Sequence, residues 1–536
     1  MRSQHSFSQV PSVNLPRSSF NLSHPHKTTF DADYLVPIMQ PVDIIPGDTF
    51  NVRTDFFMRL ATPLHPILDN LYFETFYFFV PYRLIWDNFE KFHGAQDDPG
   101  DSTDFTIPKL GAVSTFTIGN LGDYMTPPLA IDPGTTDVSA LPFRAYRFIW
   151  NEWFRDENLQ DQVTFVTDDG PDANTETGWR DAPLKRGKRH DYLTSCLPWP
   201  QKGNSVALPL GTVAPVTGIG INNAVAPNAS SVSVRETEGS SPVTYASAWN
   251  TAGSTTFNIE EDTTAGATAD YPGIYADLSG ATAATINDLR LAFMTQKILE
   301  TDARSGTRYV EKLKGTWGVT SPDFRLQRPE FLGGGSTRVN VTPVAQTSGQ
   351  PAPAADDKLG GLAGFGTASG SHGFTQSFVE HGVVIALGNL RGDISYFQGL
   401  DRYWSKSTAY DFYYPPLATI GEQAVLNKEI YVQNTTDDED VLGYQERYGE
   451  YRFLNGKVTG LFRPDAPSSL SPWILTESFS SLPTLGDTFI QANTGDPLDD
   501  AIAVPTEPHM IADFFHNIKA ARPLPMFGVP GGLGRL

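Results

Sequence analysis

Apolar residues recur along the chain at two different periods, and the switches between them mark its elements. Over residues 71–82, LYFETFYFFVPY, apolar side chains occupy both parities. A strand apolar on both faces is a strand covered on both sides, and Pro81 ends it. Residues 42–62, VDIIPGDTFNVRTDFFMRLAT, set β-rich flanks around a Pro46-Gly47-Asp48 turn. The period then changes: Phe143, Tyr146, Trp150 and Phe154 fall on one face of a helix. Such an aromatic stripe is read as packing rather than as a ligand site. A second helix is expected from Thr285, where Thr285-Ile286-Asn287-Asp288 fits a capping box. Leu291, Met294 and Ile298 continue its apolar stripe to about Asp302. Strand-like alternation returns over 378–398 and 423–433. Residues 333–373 read as one long loop, because Gly333-Gly334-Gly335, Gln350-Pro351-Ala352-Pro353 and Gly360-Gly361 interrupt any regular period.

Composition sharpens this picture. The 536 residues include 47 Gly and 41 Pro, which suits short strands joined by long loops, and the apolar share of 40% argues against general disorder. Charged residues are only 19% against 12% aromatics, the balance of a chain whose surface is covered by partners. The net charge of -22 argues against a generally basic nucleic-acid binder but leaves room for a local basic patch. With one cysteine, Cys196, an intrachain disulfide is impossible. No apolar run reaches the ~18 residues of a membrane span, and the opening MRSQHSFSQV lacks the apolar stretch of a signal peptide.

Candidate chemistry is sparse. No P-loop, H-E-x-x-H or G-x-S-x-G motif occurs. Acidic runs such as Asp437-Asp438-Glu439-Asp440 have no EF-hand spacing and leave metal binding open. Residues 1–30 carry Arg2, Arg17 and Lys27 with no acid before Asp31, which suits either a frayed terminus or an arm along a polyanion. The densest basic cluster is Lys185, Arg186, Lys188 and Arg189, with Gly187 in its middle. It could contact phosphates, but a solvated loop or salt bridges to acidic neighbours is the plainer reading. Residues 204–285 are rich in Ala, Gly, Thr, Ser and Val but retain Tyr245, Trp249, Phe257, Tyr271 and Tyr275. They read as an inserted β-rich subdomain.

Long irregular strings then point to one family. HPHKTTFDADYLVPIMQPVDIIPGDTF (24–50), FYFFVPYRLIWDNFEKFHG (76–94), AYRFIWNEWFRDENLQ (145–160) and HDYLTSCLPWPQKG (190–203) occur in order. They are followed by LETDARSGTRYVEKLKGTWGVTSPDFRLQRPEFLGGGS (299–336), ERYGEYRFLNGKVTGLFR (446–463) and PLPMFGVPGG near the end. The chain resembles the major capsid proteins of the Microviridae, the small circular single-stranded DNA phages, in their gokushovirus-like branch. The resemblance implies a mainly β fold, an eight-stranded antiparallel jelly roll of the viral capsid type with long loop insertions and a few helices. It implies a structural protein without enzymatic activity or cofactor, about sixty copies of which close a T=1 icosahedral shell around single-stranded DNA. Implied partners are a small basic DNA-binding protein, a scaffolding protein, a pilot or minor virion protein and a bacterial surface receptor. The implied location is the virion, assembled in the host bacterial cytoplasm.

The expected organisation is an arm over 1–41, a core over 42–203 and 286–515, a protrusion over 204–285 at the threefold axis, and an extended arm over 516–536. On this view Tyr245, Trp249, Phe257, Tyr271 and Tyr275 are receptor candidates. Arg2, Arg17, Lys27, Lys185, Arg186, Lys188 and Arg189 are candidates to face the lumen. The rival expectation is a β-rich carbohydrate-binding protein or glycoside hydrolase, for which no carboxylate pair stands out.

Overall fold

A computed structural model describes residues 16–111, 115–133, 135–204, 206, 286–305, 309–318, 327–345 and 362–527, with short strands between 216 and 276. The chain separates into two compact units, Met1–Pro200 with Thr320–Leu536, and Gln201–Val319. The second unit is wider than the expected 204–285 insertion. It also takes the helices α2 (Ile286–Ser305) and α3 (Tyr309–Trp317), which sequence reading assigned to the core. The apolar stripe of α2 exists, but Leu291, Met294 and Ile298 are exposed.

The first unit is built on a ten-stranded antiparallel sheet. Its strands are β1 (Ser18–Asn21), β2 (His24–Phe30), β3 (Val36–Pro37), β4 (Val42–Ile44), β5 (Thr49–Leu60) and β6 (Leu71–Pro81). They continue with β7 (Glu330–Ala345), β8 (Leu362–Ser377), β9 (Gly382–Gly392) and β10 (Met510–Arg522). The order runs from β1 and β2 through β10, β5, β8, β7, β6 and β9 to β3 and β4. The first part of β7 pairs with β6, and its last residues, Asn340–Ala345, pair with β8. The start of β8 returns that pairing and its remainder pairs with β5. The sheet thereby curls over its own inner face, and the core forms between the halves. The ring of Phe73 on β6 lies 5.1 Å from that of Phe56 on β5 and 6.0 Å from that of Phe514 on β10. This is the jelly-roll type of architecture expected from the resemblance.

The long loop expected over 333–373 is not what forms: two 16-residue strands, β7 and β8, occupy most of it. The reason is close approach of backbones. A Cβ on Gly334 would stand 2.1 Å from the carbonyl oxygen of Thr75, and one on Gly373 would stand 2.1 Å from that of Val52. Glycine in a strand marks such an approach, not only a turn. The proposed arms also shorten. Residues 18–30 form edge strands on β10, and β10 itself runs through 516–522, so both ends are partly sheet.

Alternation decides which faces are covered. Along β6, Leu71, Phe73, Tyr77 and Phe79 point into the curled sheet, whereas Phe78 and Val80 join an outer cluster. That outer cluster is closed by α1 (Leu141–Ile149), which contributes Phe143, Tyr146 and Ile149, together with Trp86 and Trp179. The helix widens to a π-turn over Trp150–Phe154, and the expected stripe is met as packing: Trp150 is buried and Phe154 packs on the cluster's edge. Burying a Phe-sized side chain contributes roughly 1.5–3 kcal/mol.

A buried histidine ties β10 to its neighbours. The Nε2–H of His516 donates to the carbonyl of Ile38 at 2.8 Å, so its Nδ1 is bare and accepts the Thr54 hydroxyl at 2.9 Å. Burial pushes the His516 imidazole down to about 4; the Ile38 carbonyl opposes this, and His24 and His26 add to it. A lowered histidine pKa means the unfolded chain takes the proton first. Stability is therefore intact above pH 6.5 and falls as pH drops from 6.5 towards 4, by about 3 kcal/mol from this residue. Thermal unfolding measured from pH 7 to pH 4 should show this slope, and His516→Gln should flatten it while lowering stability at pH 7.

Candidate functional site: the basic loop and the exposed aromatic segment

The loop carrying Lys185, Arg186, Lys188 and Arg189 is fixed by backbone on two sides. Leu35 N–H donates to Leu184 O and Arg186 N–H to Asp33 O; on the other side, Lys188 N–H donates to Ile490 O and Ala492 N–H to Arg186 O. The outer helix clamps it further. Trp150 Nε1–H donates to Lys185 O at 2.9 Å, and Leu184 N–H donates to the Tyr146 hydroxyl, which itself donates to Leu35 O. An aromatic helix face thus positions a basic loop.

The side chains of that loop mostly turn inward to carboxylates. Arg186 pairs with Glu74 and lies 4.8 Å from the Phe76 ring centre. Lys188, with a side chain only 4% exposed, donates to both carboxylate oxygens of Glu477, at 2.8 and 2.7 Å. Arg189 reaches Asp393 at 2.9 Å and Glu74 at 3.5 Å, and Arg391 from β9 reaches Glu74 at 3.3 Å. Burial alone would raise the Glu74 carboxyl; Arg186, Arg391 and Arg189 outweigh it and hold the group below its ordinary value. For Glu477 burial prevails over Lys188, and its pKa is raised. A cleft of about 470 Å³ opens beside the loop, lined by Phe76, Phe78, Trp153 and Phe154 among others.

The lumen-facing candidates therefore divide. Arg186 and Lys188 are held in internal ion pairs with Glu74 and Glu477, the salt-bridge alternative for the cluster. Lys185 is half-buried with its ammonium 5.4 Å from the Tyr34 ring centre, and Arg189 is partly exposed. Arg17 is exposed and donates to Thr49 Oγ1, and Lys27 is exposed on β2, 3.7 Å from Asp513. Arg2 lies outside the described residues, as do Tyr245, Trp249, Phe257 and Tyr271. Tyr275 belongs to a two-residue strand, Tyr275–Ala276, paired with Val216–Thr217. Among the described residues no His, Cys, Asp or Glu cluster suits a metal, and no helix is long and apolar enough to cross a membrane.

Sequence reading missed a second feature, the segment from Arg402 to Tyr414. Tyr403, Trp404, Tyr410, Phe412, Tyr413 and Tyr414 are all exposed, Trp404 to 72%. The segment is nonetheless well tied. Asp411 accepts from the backbone N–H groups of Ser407 and Thr408, which hold its carboxyl down to about 2. Lys406 donates to the Tyr451 hydroxyl at 2.7 Å and lies 5.0 Å from the Phe412 ring centre. Ordered, exposed and aromatic is the profile of an interface core. The only sequence signal was an aromatic-rich run without strand or helix period.

Comparison with known proteins gives a consistent picture. A model of the family described as capsid protein (F protein) matches residues 8–532. The chain is 44% identical to capsid protein VP1 of Bdellovibrio phage phiMH2K, over 99% of this chain and 98% of that protein. It is 39% identical to capsid protein VP1 of Chlamydia phage 1, over 98% and 97% of the two chains. It is 33% identical to capsid protein VP1 of Spiroplasma virus 4, again over 98% and 97%.

Removing one partner of a buried ion pair strands the other charge and costs about 3–5 kcal/mol. Lys188→Glu, which sets two carboxylates against each other, should abolish soluble folded protein. Lys27→Glu, on an exposed pair, should leave the melting temperature within about 1–2 °C of the parent, since such surface changes stay within about 0.5 kcal/mol. Soluble yield and circular-dichroism melts read both.

Proposed function

We propose, from the premise that the chain belongs to the capsid protein (F protein) family, that its copies close a T=1 icosahedral shell around a circular single-stranded DNA genome. It is a structural major capsid protein, not an enzyme, and its place is the virion. The observation that carries the reading is the match of nearly the whole chain, across both compact units, to capsid proteins. The Arg402–Tyr414 segment supports it, because an exposed ordered aromatic surface on a chain this poor in charge suits contact between copies.

Charge sets the terms of DNA packaging. Chains each carrying -22 repel DNA at long range, so cations must come from an inner face or from a small basic DNA-binding protein. On the chain itself Arg2, Arg17, Lys27, Lys185 and Arg189 remain the candidates. Residues 204–285 are the proposed threefold protrusion, and Tyr245, Trp249, Phe257, Tyr271 and Tyr275 its candidates for meeting a bacterial surface receptor. Assembly in the host cytoplasm, with a scaffolding protein and a pilot or minor virion protein, completes the proposal. The carbohydrate-binding or hydrolase reading has no observation in its favour.

Velocity sedimentation with electron microscopy, on protein co-expressed with its phage's other assembly proteins, should give closed particles of uniform size. A species that stays small under those conditions contradicts the proposal. Trp404→Ala with Tyr410→Ala should prevent closure while leaving the subunit melt unchanged. Replacing residues 206–283 by a short Gly/Ser bridge should preserve the shell and abolish attachment to host cells; an unfolded subunit would make the segment part of the core instead.

A further inference from the structure

The curled sheet buries one face of its β2–β10–β5–β8 layer and leaves the opposite face bare. Alternation makes this face readable row by row. Thr29, Ile511, Arg59 and Thr367 stand side by side; next come Lys27, Asp513, Phe57 and Ser369, then Pro25, Phe515, Asp55 and Ser371. Asn517, Arg53 and Gly373 follow, then Lys519, Asn51 and Thr375. Arg17 reaches the same face at its edge, through Thr49 on β5.

Two properties set this surface apart in an acidic chain. Its charges are Arg17, Lys27, Arg53, Arg59 and Lys519 against Asp55 and Asp513. Lys27 pairs with Asp513 and Arg53 with Asp55, whereas Arg59 and Lys519 have no carboxylate partner among the described residues. Arg59 instead lies 5.1 Å from the Phe365 ring centre. The second property is free aromatic area. Phe57 is 57% and Phe515 48% exposed, and among the described residues neither ring meets another ring. In its row Phe57 stands between Asp513 and Ser369, and Phe515 between Pro25 and Asp55; the two carboxylates are turned to Lys27 and Arg53, and the rings keep their exposed area. They are diagonal neighbours on adjacent strands, a separation of ~7–8 Å. A groove of about 860 Å³ continues the face past Lys27, Phe57 and Arg59 to Ile118 and Tyr124, with Asp31, Asp123 and Asp513 also in its lining.

We propose that this bare face is a binding platform for single-stranded DNA, with Phe57 and Phe515 stacking on bases and Arg53, Arg59, Lys519, Lys27 and Arg17 tracking the phosphates. Exposed rings on a surface with an excess of cations are the arrangement by which proteins hold single strands without reading sequence. Unpaired bases offer flat faces that a duplex hides, so duplex DNA is the weaker ligand. The assignment rests on the reading of the chain as a shell protein around single-stranded DNA and adds the face that would line the lumen.

The test uses the full-length chain with an oligothymidylate probe, and particles recovered from cells. Fluorescence anisotropy should show binding that weakens steeply with salt and prefers the single strand to a duplex of equal length. Phe57→Ser with Phe515→Ser should weaken binding about tenfold or more with little change in salt slope. Arg59→Gln with Lys519→Gln should flatten the log–log salt slope by about 1.4, roughly 0.7 for each cation removed. Both doubles should keep the parent's melt, because all four side chains are exposed, and both should lower DNA per particle. Oligothymidylate binding equal to the parent's in both doubles overturns the proposal. So does loss of particle closure with oligothymidylate binding intact, which would make the face a contact between copies. If the parent binds the probe through these residues yet never forms particles, the shell reading fails and this one stands. If parent particles fill with DNA and both doubles fill equally, this one fails alone.

Discussion

Two of the first unit's hydrophobic clusters meet on one strand covered on both sides. Leu71–Pro81 presents Phe73, Tyr77 and Phe79 to the curled sheet and Phe78 and Val80 to the helix-capped outer cluster. Two polar positions break the apolar pattern: Thr75 bonds to the His372 ring, and the Glu74 carboxylate gathers Arg186, Arg189 and Arg391. A strand with no solvent face must satisfy every polar atom it carries, so the basic loop is drawn to it. The same constraint forces glycine at 334, where β7 closes on the carbonyl of Thr75. Core, loop and curl are three consequences of one two-sided strand.

That dependence explains what could be read from the sequence. The double parity of 71–82 and the aromatic stripe from Phe143 to Phe154 are local patterns, and both correspond to real packing. The glycine-rich stretch misled because glycine signals turns and close approach alike. Only the neighbour, Thr75 or Val52, tells them apart, and that neighbour lies hundreds of residues away in the chain. The basic cluster was ambiguous for the same reason. Glu74, Glu477 and Asp393 are remote in sequence, so nothing near Lys185–Arg189 announces that its charges are already answered. The family strings carried the function, whereas periodicity carried only the elements.

The division of charge follows from this. Cations inside the unit serve the fold, held by carboxylates in places where removal is costly. On the bare layer Lys27 and Arg53 are answered by Asp513 and Asp55 in exposed pairs, whereas Arg59 and Lys519 have no carboxylate partner among the described residues. Aromatic residues split likewise: those on β6 and α1 are consumed by the core, whereas Phe57, Phe515 and the Arg402–Tyr414 run face outward. A subunit that spends its buried surface on one curled sheet keeps two chemically distinct exposed ones, an aromatic segment and a basic aromatic layer, which we propose serve its copies and the genome respectively.

A single-particle reconstruction of DNA-filled particles tests that division most directly. The account requires the Arg402–Tyr414 segment to be buried between subunits and the face bearing Phe57, Arg59, Phe515 and Lys519 to be turned towards density inside the shell. A reconstruction in which that face looks outward, or in which Trp404 and Tyr410 stand in solvent, would contradict it.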